Sequence, residues 1–301
     1  MHWHILGAGS IGCLWASLLS RAGPDVSLIL RNRAALEQWP DDGRLDITGA
    51  GEQHRLHCRL ETPATELPIR HLLVTTKAYD TLRAVEAIQS RLQPGAEIVL
   101  LQNGMGQQQA LLEQLADIRL WAATTTAAAW RESRSLLHCV SLGDTHIGPL
   151  TGDSPSLPSG WDKLAAPLHP CADIQPHLWR KLAINCAINP LTALYGCRNG
   201  MLLENAGHRE VMLRVCEEVE RVAAARGIEL FPGGLAARVT EVARATGDNL
   251  SSMLQDVRHG RRSEIEQITG FLCRQARLLN VKVPVNLSLL QGIRALGPHD
   301  G

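Results

Sequence analysis

A strand that runs straight into a glycine-rich turn constrains this chain more than any other feature. His2-Trp-His-Ile-Leu6 is short and mostly apolar, and Gly7-Ala-Gly9-Ser-Ile-Gly12 follows at once. Ile11, Leu14, Trp15, Leu18 and Leu19 then recur at helical spacing, and Val26-Ser-Leu-Ile-Leu30 makes a second strand. In this strand–G-x-G-x-x-G–helix–strand setting the glycines mark a dinucleotide-binding unit. Gly7 permits the tight turn, Gly9 lets the backbone approach a pyrophosphate, and Gly12 allows the helix to pack closely on the strand. The helix start then offers free N–H groups and a positive dipole end to the phosphates.

The end of the second strand bears on which dinucleotide is bound. An acidic residue about 20 positions beyond the loop binds the ribose hydroxyls of NAD. Here the chain reads Leu30-Arg31-Asn32-Arg33, with no carboxylate to repel a 2′-phosphate and two guanidiniums to hold one. NADPH is the expected cofactor. The bland alternative leaves Arg31 and Arg33 as ordinary surface charges.

Further strands end in polar residues. His71-Leu-Leu-Val-Thr-Thr76 leads into Lys77, and Glu97-Ile-Val-Leu-Leu101 leads into Gln102-Asn103-Gly-Met-Gly106. Ligands of open parallel sheets bind beyond the carboxyl ends of the strands, where Lys77 and Asn103 would meet the nicotinamide ribose and a substrate. Leu120-Trp-Ala-Ala-Thr-Thr-Thr126 reads as another strand, and the small residues Ala127 to Ala129 after it leave room for a bulky ligand. Strands alternating with helices imply a doubly wound α/β domain.

The proline-rich stretch from Pro149 to Pro170 reads as a loop-rich finish to that domain, with one short helix. The expected division is residues 1–171 for a Rossmann-like NADP-binding domain and 172–301 for an all-helical substrate domain. Helical patterns cover 175–195, 204–226, 233–245, 249–258, 263–280 and 286–295, with Gly196 and Gly227 as stops. Pro190 should kink or break its helix just after Asn189. Ser263 and Glu266 match a capping box. The last residues, 297–301, should fray.

The run Lys181-Leu-Ala-Ile-Asn185-Cys-Ala-Ile-Asn189 carries the chemistry. A cation and two carboxamides at i, i+4 and i+8 share one helical face, while the apolar residues between them bury the other. Such an edge suits a small oxygen-rich substrate: an ammonium can donate a proton, and amides can fix carbonyl and hydroxyl groups. A solvated polar stripe is the alternative.

Composition excludes several classes. Lysine plus arginine equals aspartate plus glutamate, 30 against 30, without long blocks of one sign, so neither a nucleic acid nor an anionic membrane is an expected partner. No stretch approaches the roughly 18–20 apolar residues of a membrane span. The segment Ile11 to Leu19 lacks the basic flank and cleavage site of a signal peptide. The eight cysteines are scattered without a C-x-x-C pair, which favours a reducing, cytoplasmic compartment. His54, His57 and Cys58 cluster in sequence but read as a surface strand, and no metal is expected.

Taken together, Gly7 to Gly12, Val74-Thr-Thr-Lys77-Ala, Gln102-Asn103-Gly-Met-Gly106, Leu178-Trp-Arg-Lys181 through Asn185 and Asn189 to Ala193, Cys197-Arg-Asn199-Gly200 and Asn249-Leu-Ser-Ser252 through Glu264 resemble the ketopantoate reductase (2-dehydropantoate 2-reductase) family. The segments stay in order from about residue 5 to 285. The resemblance implies a Rossmann domain, an all-helical domain and an active site in the cleft between them. It makes Lys181 the general acid and gives Asn185, Asn189, Asn199 and Ser252, with Asn103, to the substrate. Gly7, Ala8, Gly9, Ser10, Ile11, Gly12, Asn103, Ala129 and Glu264 would contact NADPH, with Lys77 near the nicotinamide. One departure is Ala127, where some relatives carry a histidine. It lies beside the cofactor pocket and bears on cofactor affinity rather than on the reaction.

The residue chemistry points the same way. Hydride addition to a ketone builds charge on oxygen, which a nearby ammonium stabilises before giving up a proton. Two alternatives stay open: an NADP-dependent reductase of another keto acid, and a non-enzymatic NADP sensor, which would need none of the Lys181, Asn185, Asn189 and Ser252 set. The protein is expected to be a monomer or homodimer.

Overall fold

The computed structural model describes residues 1–49, 52–152 and 156–297. Most of the segment expected to fray, residues 298–301, lies outside them. The chain forms two compact units, one of Met1–Gln102 and Gln107–Ile174, the other of Asn103–Gly106 and Gln175 onward.

The first unit contains β1 (His2–Leu6), β2 (Asp25–Ile29), β3 (Arg44–Gly49), β4 (Glu52–His57), β5 (Arg59–Glu61) and β6 (Ile69–Val74). Beyond these lie β7 (Leu92–Leu100), β8 (Ile118–Thr125), β9 (Ala128–Arg131), β10 (Leu136–Ser141), β11 (Thr145–Pro149) and β12 (Leu168–Pro170). Helices α1 (Ser10–Arg21), α2 (Arg33–Leu36), α3 (Thr81–Glu86) and α4 (Gln107–Gln114) connect them. The larger sheet runs β12-β11-β8-β7-β6-β1-β2-β5. From β8 to β5 every neighbouring pair is parallel, and β11 joins β8 antiparallel. Counted in chain order, the six parallel strands lie 3-2-1-4-5-6, the order of a Rossmann sheet, which reverses direction between β1 and β6.

Each face of that sheet has its own apolar cluster, as a parallel sheet requires. Trp3, Ile5, Trp15, Leu19 and Trp161 belong to one, with the Trp15 and Trp161 rings stacked at 4.7 Å. Leu6, Ile69, Leu72, Ile98 and Leu120 belong to the other. Among the described residues, the stretch after Pro149 supplies one helical turn, Trp161–Lys163.

A second sheet, β4-β3-β10-β9, was not expected. Its strands are short and one-sided, burying Leu45 and Ile47 on β3, Leu56 on β4 and Leu137 and Cys139 on β10. The segment with His54 and His57 is β4, and Cys58 follows it.

The second unit holds α5 (Gln175–Tyr195), α6 (Met201–Glu204), α7 (Ala206–Ala225), α8 (Leu235–Ala245), α9 (Ser252–Arg258), α10 (Thr269–Leu278) and α11 (Pro284–Leu296). The helix expected over 204–226 begins later, at Ala206, because the Asn205 side chain caps it by accepting from the His208 N–H at 3.0 Å. Two further expectations are corrected. Of the kink or break expected at Pro190, the break does not occur, and helix α5 is continuous through it. Leu182, Ala183, Cys186, Ala187 and Leu191 are all buried where α5 packs on α7, α9 and α11, and that burial outweighs the roughly 3 kcal/mol penalty of an interior proline.

The capping box at Ser263 also does not form. Residues 264–268 make a turn, α10 starts at Thr269, and the Glu266 carboxylate instead accepts from both Nε and a terminal nitrogen of Arg294, at 2.6 and 2.9 Å. A two-pronged guanidinium is a stronger partner for the carboxylate than one backbone N–H.

Candidate active site

In the first unit the glycine loop sits at the point where the sheet reverses. Gly7 has φ +110°, and a Cβ there would lie 2.7 Å from the Thr76 nitrogen. A Cβ on Gly12 would lie 2.0 Å from the Gly7 oxygen, so the helix can approach the loop only without a side chain. Thr75, just past β6, locks this junction by donating its hydroxyl to the Gly7 carbonyl at 2.6 Å. Gly9 is the exposed N-cap of α1, with open space for 4 Å around the point where a Cβ would stand, and no side chain caps the helix. The first turn, from Ser10 and Ile11, contains no acidic residue. Uncapped N–H groups at an open glycine fit the diphosphate of a dinucleotide.

Arg131 is a feature that sequence reasoning missed. It reaches from β9 to donate a guanidinium N–H to the Ala8 carbonyl, which places a cation beside the loop. The alternating strand β9 carries the signal, but its register beside the loop is set by β10 and cannot be read locally. Ala127 and Ala129 are partly buried against the cluster that includes α1.

At the end of β2, Arg31 is exposed, Asn32 caps α2 by accepting from the Ala35 N–H, and Arg33 pairs with Glu37 at 3.3 Å. Arg33 is thereby engaged with its own helix. One carboxylate does register beside this end, Glu61 opposite Ile29, but it is 2% exposed and bound by Arg91. Burial alone would raise the Glu61 pKa, yet the polar groups around it, with the Arg91 guanidinium bonded to the carboxylate and His4 at 3.5 Å, outweigh it and hold the pKa at about 2. It is a structural anion, committed to Arg91. Lys77 follows β6 at the start of a short helical turn, half-buried.

The second unit gathers the remaining candidates. Lys181 and Asn185 are half-buried on α5, and Asn189 is 8% exposed. Burial lowers the Lys181 pKa to about 8, against the opposing pull of the Glu264 carboxylate. Glu264, 5% exposed in the turn before α10, accepts from Asn103 Nδ2 at 3.4 Å. The Met105 N–H donates to the Gln267 carbonyl at 2.9 Å, so the 103–106 loop is fastened to the same turn. Lys181, Glu264 and Asn103 thus form one coupled set.

Ser252 is the exposed first residue of α9. Among the described residues, the side chains of Asn185, Asn189 and Ser252 make no hydrogen bond to protein. Asn199 Nδ2 donates to Thr246 Oγ1 at 2.9 Å, while its buried Oδ1 has no hydrogen-bond partner among the described residues.

All eight thiols are free, and burial pushes every one upward, Cys13 to about 11 and Cys58 to about 12. Burial thus disfavours the thiolate form at each of them. Among the described residues no helix is long and apolar enough to cross a membrane.

The model of the family "Ketopantoate reductase PanE/ApbA" matches residues 3–152, and that of "Ketopantoate reductase PanE/ApbA C terminal" matches residues 173–297. The chain belongs to the ketopantoate reductase family. Among curated ketopantoate reductases, the 2-dehydropantoate 2-reductase of Yersinia pestis is 37% identical over 96% of this chain and 93% of its own. That of Vibrio cholerae is 33% identical over 97% and 96%. A crystal structure of a PanE/ApbA family ketopantoate reductase from Ralstonia eutropha JMP134 superposes with a TM-score of 0.88 at 28% identity, covering 98% of each chain.

Proposed function

We propose that this protein reduces 2-dehydropantoate to pantoate with NADPH, the reductive step toward pantothenate, with Lys181 as general acid. One observation carries the reading. A lysine whose pKa burial has lowered to about 8 lies on the same helix as Asn185 and Asn189, whose carboxamides have no protein partners among the described residues. A pKa just above neutrality keeps the group mostly protonated while easing proton release, as a general acid requires. Full-length relatives named for this activity support the substrate assignment.

Bound NADPH supplies the hydride. Lys181 stabilises the charge that develops on the C2 oxygen and delivers the proton to it. Asn185, Asn189 and Ser252 orient the substrate through its carboxylate and hydroxyls, with Asn199 contributing the oxygen that Thr246 leaves open. Asn103, held by Glu264, positions the nicotinamide ribose and substrate. The backbone of Gly7, Ala8, Gly9, Ser10, Ile11 and Gly12 holds the diphosphate, Arg31 the 2′-phosphate, and Lys77 and Ala129 the nicotinamide half. The protein works as a cytoplasmic monomer or homodimer.

NADPH oxidation measured with a panel of 2-keto acids tests the proposal. The highest kcat/KM should belong to 2-dehydropantoate. Equal or greater kcat/KM for an unbranched 2-keto acid would reassign the substrate.

A further inference from the structure

Three residues beyond Asn189 on the same helix, Thr192 has no exposed surface, yet nothing in the proton-transfer scheme uses it. Its hydroxyl lies 2.7 Å from the Ser251 hydroxyl and within 3.1 and 3.0 Å of the Ile188 and Asn189 carbonyls. Ser251 is the N-cap of α9, and its oxygen accepts the Leu254 N–H at 3.1 Å.

The Thr192 hydroxyl donates to Ser251 Oγ, with the Ile188 and Asn189 carbonyls of its own helix within reach of the same proton. Ser251 Oγ also accepts the Leu254 N–H. The result is a buried chain of contacts from the backbone of Asn189 to the first turn of α9. It joins the two elements that carry Asn189 and Ser252.

We propose that Thr192 is a positioning residue, whose hydroxyl sets Ser252 relative to Asn189 and so fixes the binding geometry of the keto acid. The inference deepens the proposed function and rests on its assignment of Asn189 and Ser252 to the substrate. Backbone bonds from the Asn199 and Gly200 N–H groups to the Asn249 and Gly247 carbonyls, at 3.1 and 3.0 Å, hold the segment leading into α9. Its cap, next to Ser252, is held by Thr192.

Thr192→Val keeps the shape and deletes the hydroxyl, leaving the Ser251 cap oxygen without its donor from α5. In the full-length enzyme this should raise the KM for 2-dehydropantoate about tenfold, with kcat reduced less and the KM for NADPH within about twofold of wild type. Thr192→Ser, which restores the hydroxyl, should recover most of the loss. A lowered melting temperature with an unchanged KM for 2-dehydropantoate would make the contact purely structural and overturn the inference. So would a Thr192→Ser enzyme as impaired as Thr192→Val. Ser252→Ala and Asn189→Ala are measured alongside. Should both leave the KM for 2-dehydropantoate at the wild-type value, the substrate assignment itself falls, and this inference with it.

Discussion

The Glu264 carboxylate pulls on the Lys181 ammonium against the burial that has lowered its pKa to about 8. The two come from separate elements, α5 and the turn before α10, and Asn103 donates to the same Glu264 carboxylate. Burial favours the neutral amine and the carboxylate favours the cation, so the balance sets how much acid is present near neutral pH. The sign follows directly. A general acid is active when protonated, so kcat/KM for the keto acid should be flat below about pH 8 and fall above it. Glu264→Gln removes the opposing negative charge and should move the falling limb to lower pH. A limb that stays in place or moves upward would show that the carboxylate does not govern the lysine.

Arg31 stands exposed at the end of β2, while Asn32 caps α2 and Arg33 is paired with Glu37. A charge-assisted contact to a 2′-phosphate contributes about 1.5–3 kcal/mol, so Arg31→Asp should reduce the NADPH-over-NADH preference by about one to two decades. Titration of each cofactor by fluorescence checks this directly. An undiminished preference would remove Arg31 from the cofactor site.

Acid stability should follow Glu61 and Glu97. Both carboxyl groups are almost fully buried, and their hydrogen-bond partners outweigh burial to hold each pKa at about 2. Each pKa is below its unfolded value, so each group stabilises the fold above about pH 4.5, and that contribution is lost as pH falls toward 2. Arg91→Met strands Glu61 and should destabilise the protein by about 3–5 kcal/mol at neutral pH. The gap from wild type should narrow below pH 4.5, where the unfolded carboxyl also protonates. A gap that is constant down to about pH 3 in denaturant unfolding would contradict the assignment.

Much of this architecture could be read from the sequence because its signals are local. Apolar runs such as Leu72–Val74 and Ile98–Leu100, each ending in polar residues, gave the parallel strands. The four-residue spacing placed Lys181, Asn185 and Asn189 together on α5. What could not be read depends on partners distant in the chain. The β3 and β10 strands pair side by side across a long separation, and only then does β9 deliver Arg131 to the Ala8 carbonyl. Pro190 argued for a break, but the buried packing of α5 decided otherwise. Glu266 satisfied a local capping pattern and was taken by Arg294 instead. The contact of Asn103 with Glu264 is of the same non-local kind.

Lys181 is the residue on which the proposed chemistry turns, and pre-steady-state kinetics of Lys181→Ala tests it most directly. With NADPH and 2-dehydropantoate both saturating, single-turnover NADPH oxidation should slow by about 10²–10⁴, the usual contribution of a positioned general acid. The NADPH dissociation constant should remain near that of wild type, because the glycine loop and Arg31 are untouched. A variant that turns over at a near-wild-type rate would contradict the account and shift the proton donor to another group, with Lys77 the first to examine.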